Sequence, residues 1–215
     1  MSFHIDIVIC LDVSGDMAAY IDKTRGTIKF LPEGLVEYME MEGKSVDKLR
    51  VKFITFSDFA TEGADAIHET KFFDYFEQKE EAFAFIDGVQ PKGGGDKAEN
   101  ALEALALAIK SDWTMEGNRR RHVIIMITNA PAHSLQYRSD CEGYPEGMPK
   151  DLAELGDWWA DVDRWYQRIL ITFAPNVSPW TDMEGWSRYW FTPDYVDKGF
   201  SEFEIADIFS MVFGS

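Results

Sequence analysis

Ile5-Asp6-Ile7-Val8-Ile9-Cys10-Leu11 runs directly into Asp12-Val13-Ser14-Gly15-Asp16. The first seven residues are almost wholly apolar and mostly β-branched, which predicts a strand buried on both faces, as in the middle of a parallel sheet. The polar group behind it then falls at a strand end. Open α/β sheets bind their ligands beyond the carboxyl ends of the strands, so each strand end is a place to look for chemistry.

Working outward, Ile21, Ile28, Leu31, Leu35 and Met39 recur at helical spacing, with Pro32 expected to kink that helix. Val51 to Phe56 predicts a second strand ending at Ser57-Asp58, and Ile67 to Phe72 an edge strand. Glu80 to Ile86 predicts a short helix, followed by the loop Pro91-Lys92-Gly93-Gly94-Gly95-Asp96. Leu102, Leu105, Ala106 and Ile109 form one apolar stripe. His122 to Thr128 is another two-sided strand, ending at Asn129-Ala130-Pro131. Residues 132–150 form a long loop rich in Gly and Pro. After it come a helix over Leu152 to Tyr166, strands at Ile169 to Phe173 and Tyr189 to Phe191, and a closing helix over Phe203 to Phe213. This alternation predicts a three-layer, doubly wound α/β fold: a mostly parallel central sheet with helices on both faces. At 215 residues, with no repeat and no low-complexity linker, one domain spanning 1–215 is expected.

Hydrophobic residues make up 46% of the chain, too many for disorder. The balance of 21 basic against 38 acidic residues, net −17, argues against nucleic acid and anionic membrane as partners, since both need clustered Lys and Arg. It suits a cation or a basic protein surface, and it equally suits solubility alone. Cys10 sits in the apolar strand and reads as core; two isolated cysteines, Cys10 and Cys141, give neither a disulfide framework nor zinc spacing. The start has no basic n-region, and no apolar run reaches the length of a membrane helix, about 18 residues. A cytoplasmic protein is the expectation.

Three strand-end segments carry hard oxygen donors and no thiolate: Asp12-Val13-Ser14-Gly15-Asp16, the glycine loop ending at Asp96, and Asn129. Oxygen-only clusters suit Mg2+, Ca2+ or Mn2+. In order and spacing these segments resemble the three metal loops of the von Willebrand factor A (VWA) family. Asp12 to Asp16 resembles its DxSxS motif. Gly93-Gly94-Gly95-Asp96 resembles the second loop, and Ile125-Met126-Ile127-Thr128-Asn129 the third. The resemblance implies a metal-ion-dependent adhesion site holding a divalent cation, Mg2+ foremost, and a non-enzymatic protein–protein interaction module. The metal set it implies here is Asp12, Ser14, Asp16, Asp96 and Asn129.

The match is not complete. Asp16 stands for the family's second serine, Gly95 falls at the threonine with Asp96 next door, and Asn129 replaces the last aspartate. With Asp16 and Asp96 both on the ion, it would be neutralised largely from within and would attract a partner's carboxylate less. Without an ion, Asp12, Asp16 and Asp96 should repel one another and raise at least one pKa. Loops that keep the family's shape but bind no metal are the competing expectation.

The enzyme alternative is a metal-dependent phosphoryl or ester hydrolase using Asp12. It lacks the second acid two residues on, where Ser14 stands, and Ser14 lacks a nucleophile-elbow context. The glycine loop lacks the Lys-Ser/Thr pair of a phosphate cradle. His133 is expected to be an ordinary loop histidine. Tyr137, Arg138, Tyr144 and Met148 make the 132–150 loop either a binding surface or a lid over the sheet end. Most of Trp158, Trp159, Trp165, Trp180, Trp186 and Trp190 are expected in the core.

Overall fold

The computed structural model describes residues 2–93, 95–161, 167–193 and 208–209. Its central strand is β1 (Ser2–Asp12). On one side lie β2 (Ser45–Phe56) and β3 (Ile67–Glu69); on the other lie β5 (Arg120–Ile127), β6 (Gln167–Phe173) and β7 (Tyr189–Phe191). The sheet order is β3-β2-β1-β5-β6-β7, with β4 (Phe73–Asp74) paired to β2 off that path. Every pairing among β1, β2, β5, β6 and β7 is parallel, and among the described residues only β3 and β4 run antiparallel. The mostly parallel α/β fold expected from the sequence is therefore what the chain adopts.

Alternation along β1 builds two cores. Ile5, Ile7, Ile9 and Leu11 pack with α1 (Ile21–Met41) and α3 (Tyr75–Gly88) on one face. Val8 and Cys10 pack with α4 (Ala101–Ile109) and α5 (Leu152–Asp161) on the other. Cys10 is fully buried, with its thiol against the Ala104 carbonyl at 3.8 Å. Trp180 is fully buried, Trp159 nearly so, and Trp158 and Trp186 pack partly against the second core, whereas Trp190 is exposed. Trp165 and the closing helix lie outside the described residues, except that Ile208 and Phe209 are helical and buried in the first core.

Several boundaries differ from expectation. The second strand starts at Ser45, six residues before Val51, because Ser45 to Arg50 pairs with β1 while carrying charged, half-exposed side chains that hide the strand period. Of the expected edge strand only Ile67–Glu69 forms, as β3; it ends where Thr70 Oγ1 takes over a ladder position by accepting from Phe53 N at 3.0 Å, and β4 follows beyond the expected range. α3 begins at Tyr75 because Asp74 caps it, accepting from Phe76 N. α1 runs as one helix through Pro32, whose ring is buried. The loss of one N–H there is offset by packing.

The amino end of the sheet is closed by a buried ion pair. Asp6 is fully buried and accepts from Arg50 Nε and Nη2 at 2.8 and 2.6 Å and from Thr114 N at 2.6 Å. Beside it, His122 Nε2 lies 3.0 Å from the Thr114 carbonyl and its ring stacks on Trp113 at 4.9 Å. Burial, ahead of every other cause, pushes the His122 imidazole down to about 4. The unfolded chain therefore takes up this proton near 6.5 and the folded chain only near 4. The stability His122 gives is full above pH 6.5 and is lost as pH falls through about 4. The melting temperature of H122Q should thus fall less between pH 7 and pH 4.5 than that of the wild type; equal falls by calorimetry would refute this.

Candidate functional site

Three stretches distant in sequence meet beyond the carboxyl ends of β1 and β5. Asp12 closes β1, and Ser14 opens a 3-10 turn over Gly15–Ala19. Asp12 is fully buried; its Oδ1 accepts from Ser14 N at 2.8 Å and its Oδ2 from Thr128 Oγ1 at 2.6 Å. Asn129, next along after β5, donates from Nδ2 to the Asp16 carbonyl at 3.1 Å. The glycine loop is sewn to this rim by Lys92 N donating to Val13 O at 2.8 Å. It passes so close that a Cβ on Gly15 would lie 2.7 Å from the Gly93 carbonyl, so only glycine fits at position 15. Further on, Glu99 N donates to Pro131 O and His133 N to Glu99 O, a parallel bridge between Glu99 and Ala132.

Within this rim Ser14 Oγ lies beside the Asp12 and Glu99 carboxylates without a hydrogen bond of ordinary geometry. Glu99 Oε2 and Asn129 Oδ1 are likewise buried with no hydrogen-bond partner among the described residues. Buried polar oxygens left unpaired are costly and uncommon, and three at one strand-end rim suit a shared cation. Burial raises the Asp12 carboxyl above its usual range, opposed by the Thr128 and Ser14 bonds; the charge of Asp16 adds only the smallest push. Glu99 is raised to about 8, first by burial and then by Asp12 and Asp58. The pKa rise expected for the acidic set is present, but burial rather than mutual repulsion dominates it.

Asp96 was expected beside Asp12, and its oxygens are engaged elsewhere. Its Oδ1 accepts from Ala98 N and lies 3.1 Å from His133 Nε2, while its Oδ2 accepts from Arg138 Nη2 at 2.9 Å. The same guanidinium grips Asp58 from Nε and Nη2, both at 2.9 Å. Asp58 is 3% exposed and also caps the short helix α2 (Phe59–Glu62) by accepting from Ala60 N. Gly95, expected at the threonine position of the first site, faces this second group: a Cβ there would lie 3.1 Å from Asp58 Oδ2.

The 132–150 loop is pinned over this end of the sheet. Arg138 holds it to Asp58 and Asp96, and Tyr144 donates to Glu103 at 2.9 Å while its ring meets that of Phe59, tilted, at 5.3 Å. Tyr137 alone of the four residues singled out is exposed, at 62%. The loop is thus a lid with one aromatic ring facing outward.

The profile of the von Willebrand factor type A domain family matches residues 6–148, which spans all of these loops. The chain belongs to that family. A curated relative, the alpha-protein kinase vwkA of Dictyostelium discoideum, is 26% identical over 158 residues, covering 74% of this chain and 23% of that protein. The chain therefore spans about a quarter of that relative's length. Among solved structures, the pilus adhesin SpaC of Lactobacillus rhamnosus GG superposes with a TM-score of 0.57 at 12% identity, over 97% of this chain and 31% of SpaC. Proximal thread matrix protein 1 of the mussel byssus gives 0.56 at 14% identity, over 98% and 48%. At these identities the structures show the VWA fold alone.

The sequence reading of this VWA domain missed Glu99, Thr128 and Asp58, placed Arg138 in a binding surface or lid without its carboxylate partners, and took His133 for an ordinary loop residue. His133 is 8% exposed and stacks on Tyr137 at 4.9 Å. The missed signal was an acid three residues past Asp96, at the threshold of an apolar helix, where a carboxylate is forced into the interior.

Proposed function

We propose that this VWA domain is a metal-associated protein–protein interaction module in which a divalent cation, Mg2+ foremost, sits among Asp12, Ser14, Asp16 and Asn129. The observation that carries the reading is the group of unpartnered buried oxygens, Ser14 Oγ, Glu99 Oε2 and Asn129 Oδ1, around the fully buried Asp12. The donors are all oxygens, the chemistry Mg2+ and Ca2+ select. Glu99, absent from the sequence expectation, joins the set as a further carboxylate. A bound cation would supply positive charge against Asp12 and Glu99 and an open position for a partner's oxygen. The chain's own residues place the donors: Thr128 and the Ser14 amide orient Asp12, and the Asn129–Asp16 contact fixes the third loop against the first.

Nothing favours Asp12 as a hydrolytic nucleophile. It is fully buried, and both its oxygens are held by donors. SpaC is an adhesin by name, and adhesion-type binding of a protein is the role we carry over.

The expected result is a single Mg2+ bound per chain by isothermal titration, with a higher melting temperature in Mg2+ than in chelator, and both effects lost in D12A. If wild type binds none of Mg2+, Ca2+ or Mn2+, the metal part of the reading falls. A partner recovered equally by wild type and D12A, in Mg2+ and in chelator, would separate its binding from the ion.

A further inference from the structure

Arg138 Nη2 lies at the centre of a ring of ligand atoms: 2.9 Å from Asp58 Oδ2, 2.9 Å from Asp96 Oδ2 and 3.3 Å from His133 Nε2. One donor atom from each of those three residues can be chosen with all of them within 4.8 Å of one another. This is the spacing of a metal's ligand set, and a side-chain cation occupies it. We propose that Asp58, Asp96 and His133 form a second cation site, distinct from the one at Asp12, whose resident is the Arg138 guanidinium, and that a transition-metal divalent cation takes its place when the lid withdraws Arg138.

A second observation points the same way. Glu99 is 5% exposed, its Oε2 has no hydrogen-bond partner among the described residues, and its carboxylate feels the charges of Asp58 and Asp96 after that of Asp12. Two carboxylates and an imidazole suit Zn2+ better than Mg2+, which prefers an all-oxygen shell. The Asp12 set is all oxygen, so the two sites call for different ions.

The lid carries the handle for the exchange. Arg138 lies over the Tyr137 ring at 4.7 Å, and the same ring stacks on His133 and is exposed. A partner that engages Tyr137 pulls on the residue bonded to Arg138 and on the ring covering His133 at once.

The test is a Zn2+ titration of the full chain in a D12A background, so that loss of the first site leaves the second readable. Replacing Arg138 by methionine removes the charge and keeps the bulk. Zn2+ should bind R138M roughly tenfold or more tighter than the D12A parent, and the gain should vanish on adding H133A. Because R138M leaves Asp58 buried and unpaired, its melting temperature should drop in chelator and recover in Zn2+ but not in Mg2+. R138K, which keeps the charge but loses the separate Nε contact with Asp58, keeps the test open should R138M not fold; it should show a smaller gain. If both variants titrate with Zn2+ as their parent does, or if the gain survives H133A, the proposal is overturned.

Discussion

Asp6→Ala is expected to cost about 3–5 kcal/mol of stability, the usual price of stranding one partner of a buried ion pair. For a chain of this length that corresponds to a fall of roughly 6–20 °C in melting temperature. Asp6 is fully buried and accepts three hydrogen bonds, two from Arg50 and one from the Thr114 amide. Its removal leaves the guanidinium, 17% exposed, short of its main counter-charge and the amide without an acceptor. The Arg50 ring contact with Phe72, at 4.4 Å, does not replace either. D6A/R50M should recover part of the loss, because an apolar pair of similar bulk strands no charge. Urea unfolding of the three proteins measures this; a loss in D6A below about 1 kcal/mol would mean that water already satisfies the pair. Asp6 lies six residues back along β1 from Asp12, about 20 Å away, so Mg2+ affinity of the folded D6A should match wild type.

Trp180→Ala should destabilise by a similar amount, about 3–5 kcal/mol, through the cavity left by a large, fully buried ring. It should also weaken Mg2+ binding, which the Asp6 change should not. Trp180 Nε1 donates to the Ala130 carbonyl at 3.1 Å, and Ala130 is the residue after Asn129. The indole therefore holds the third loop in place. Trp180→Phe keeps most of the packing and removes only the donor, and its stability loss should be nearer 1 kcal/mol, with most of the loss in Mg2+ affinity retained. Unfolding and titration together separate the two roles. If W180F binds Mg2+ as wild type does, the indole N–H has no part in the site.

The fold was legible because its central strands are simple. β1 and β5 are apolar on both faces, a pattern only a covered sheet permits. What hid was structure whose side chains face water, such as the first half of β2, where Asp47, Lys48 and Arg50 show no period. The site was half legible. Asp12, Ser14 and Asn129 stand directly after buried strands, so the sheet fixes where they go. Asp96 sits on a loop, and its direction depends on what reaches it from elsewhere. That is Arg138, 42 residues on, a pairing that no local pattern encodes. Glu99 was overlooked because a carboxylate at a helix start reads as solvated, and only the parallel bridge to Ala132 turns it inward.

That bridge has a mechanical consequence. The backbone of Glu99 is tied on both sides to the strand of chain that leads into the lid, by the Glu99–Pro131 and His133–Glu99 hydrogen bonds. Displacement of the lid's root thus drags an unpaired acid group along with it, rigidly and over one residue's length. Touch at the outer rim of the molecule reaches the buried Glu99 carboxylate as movement of a lever, with no intervening relay of side chains.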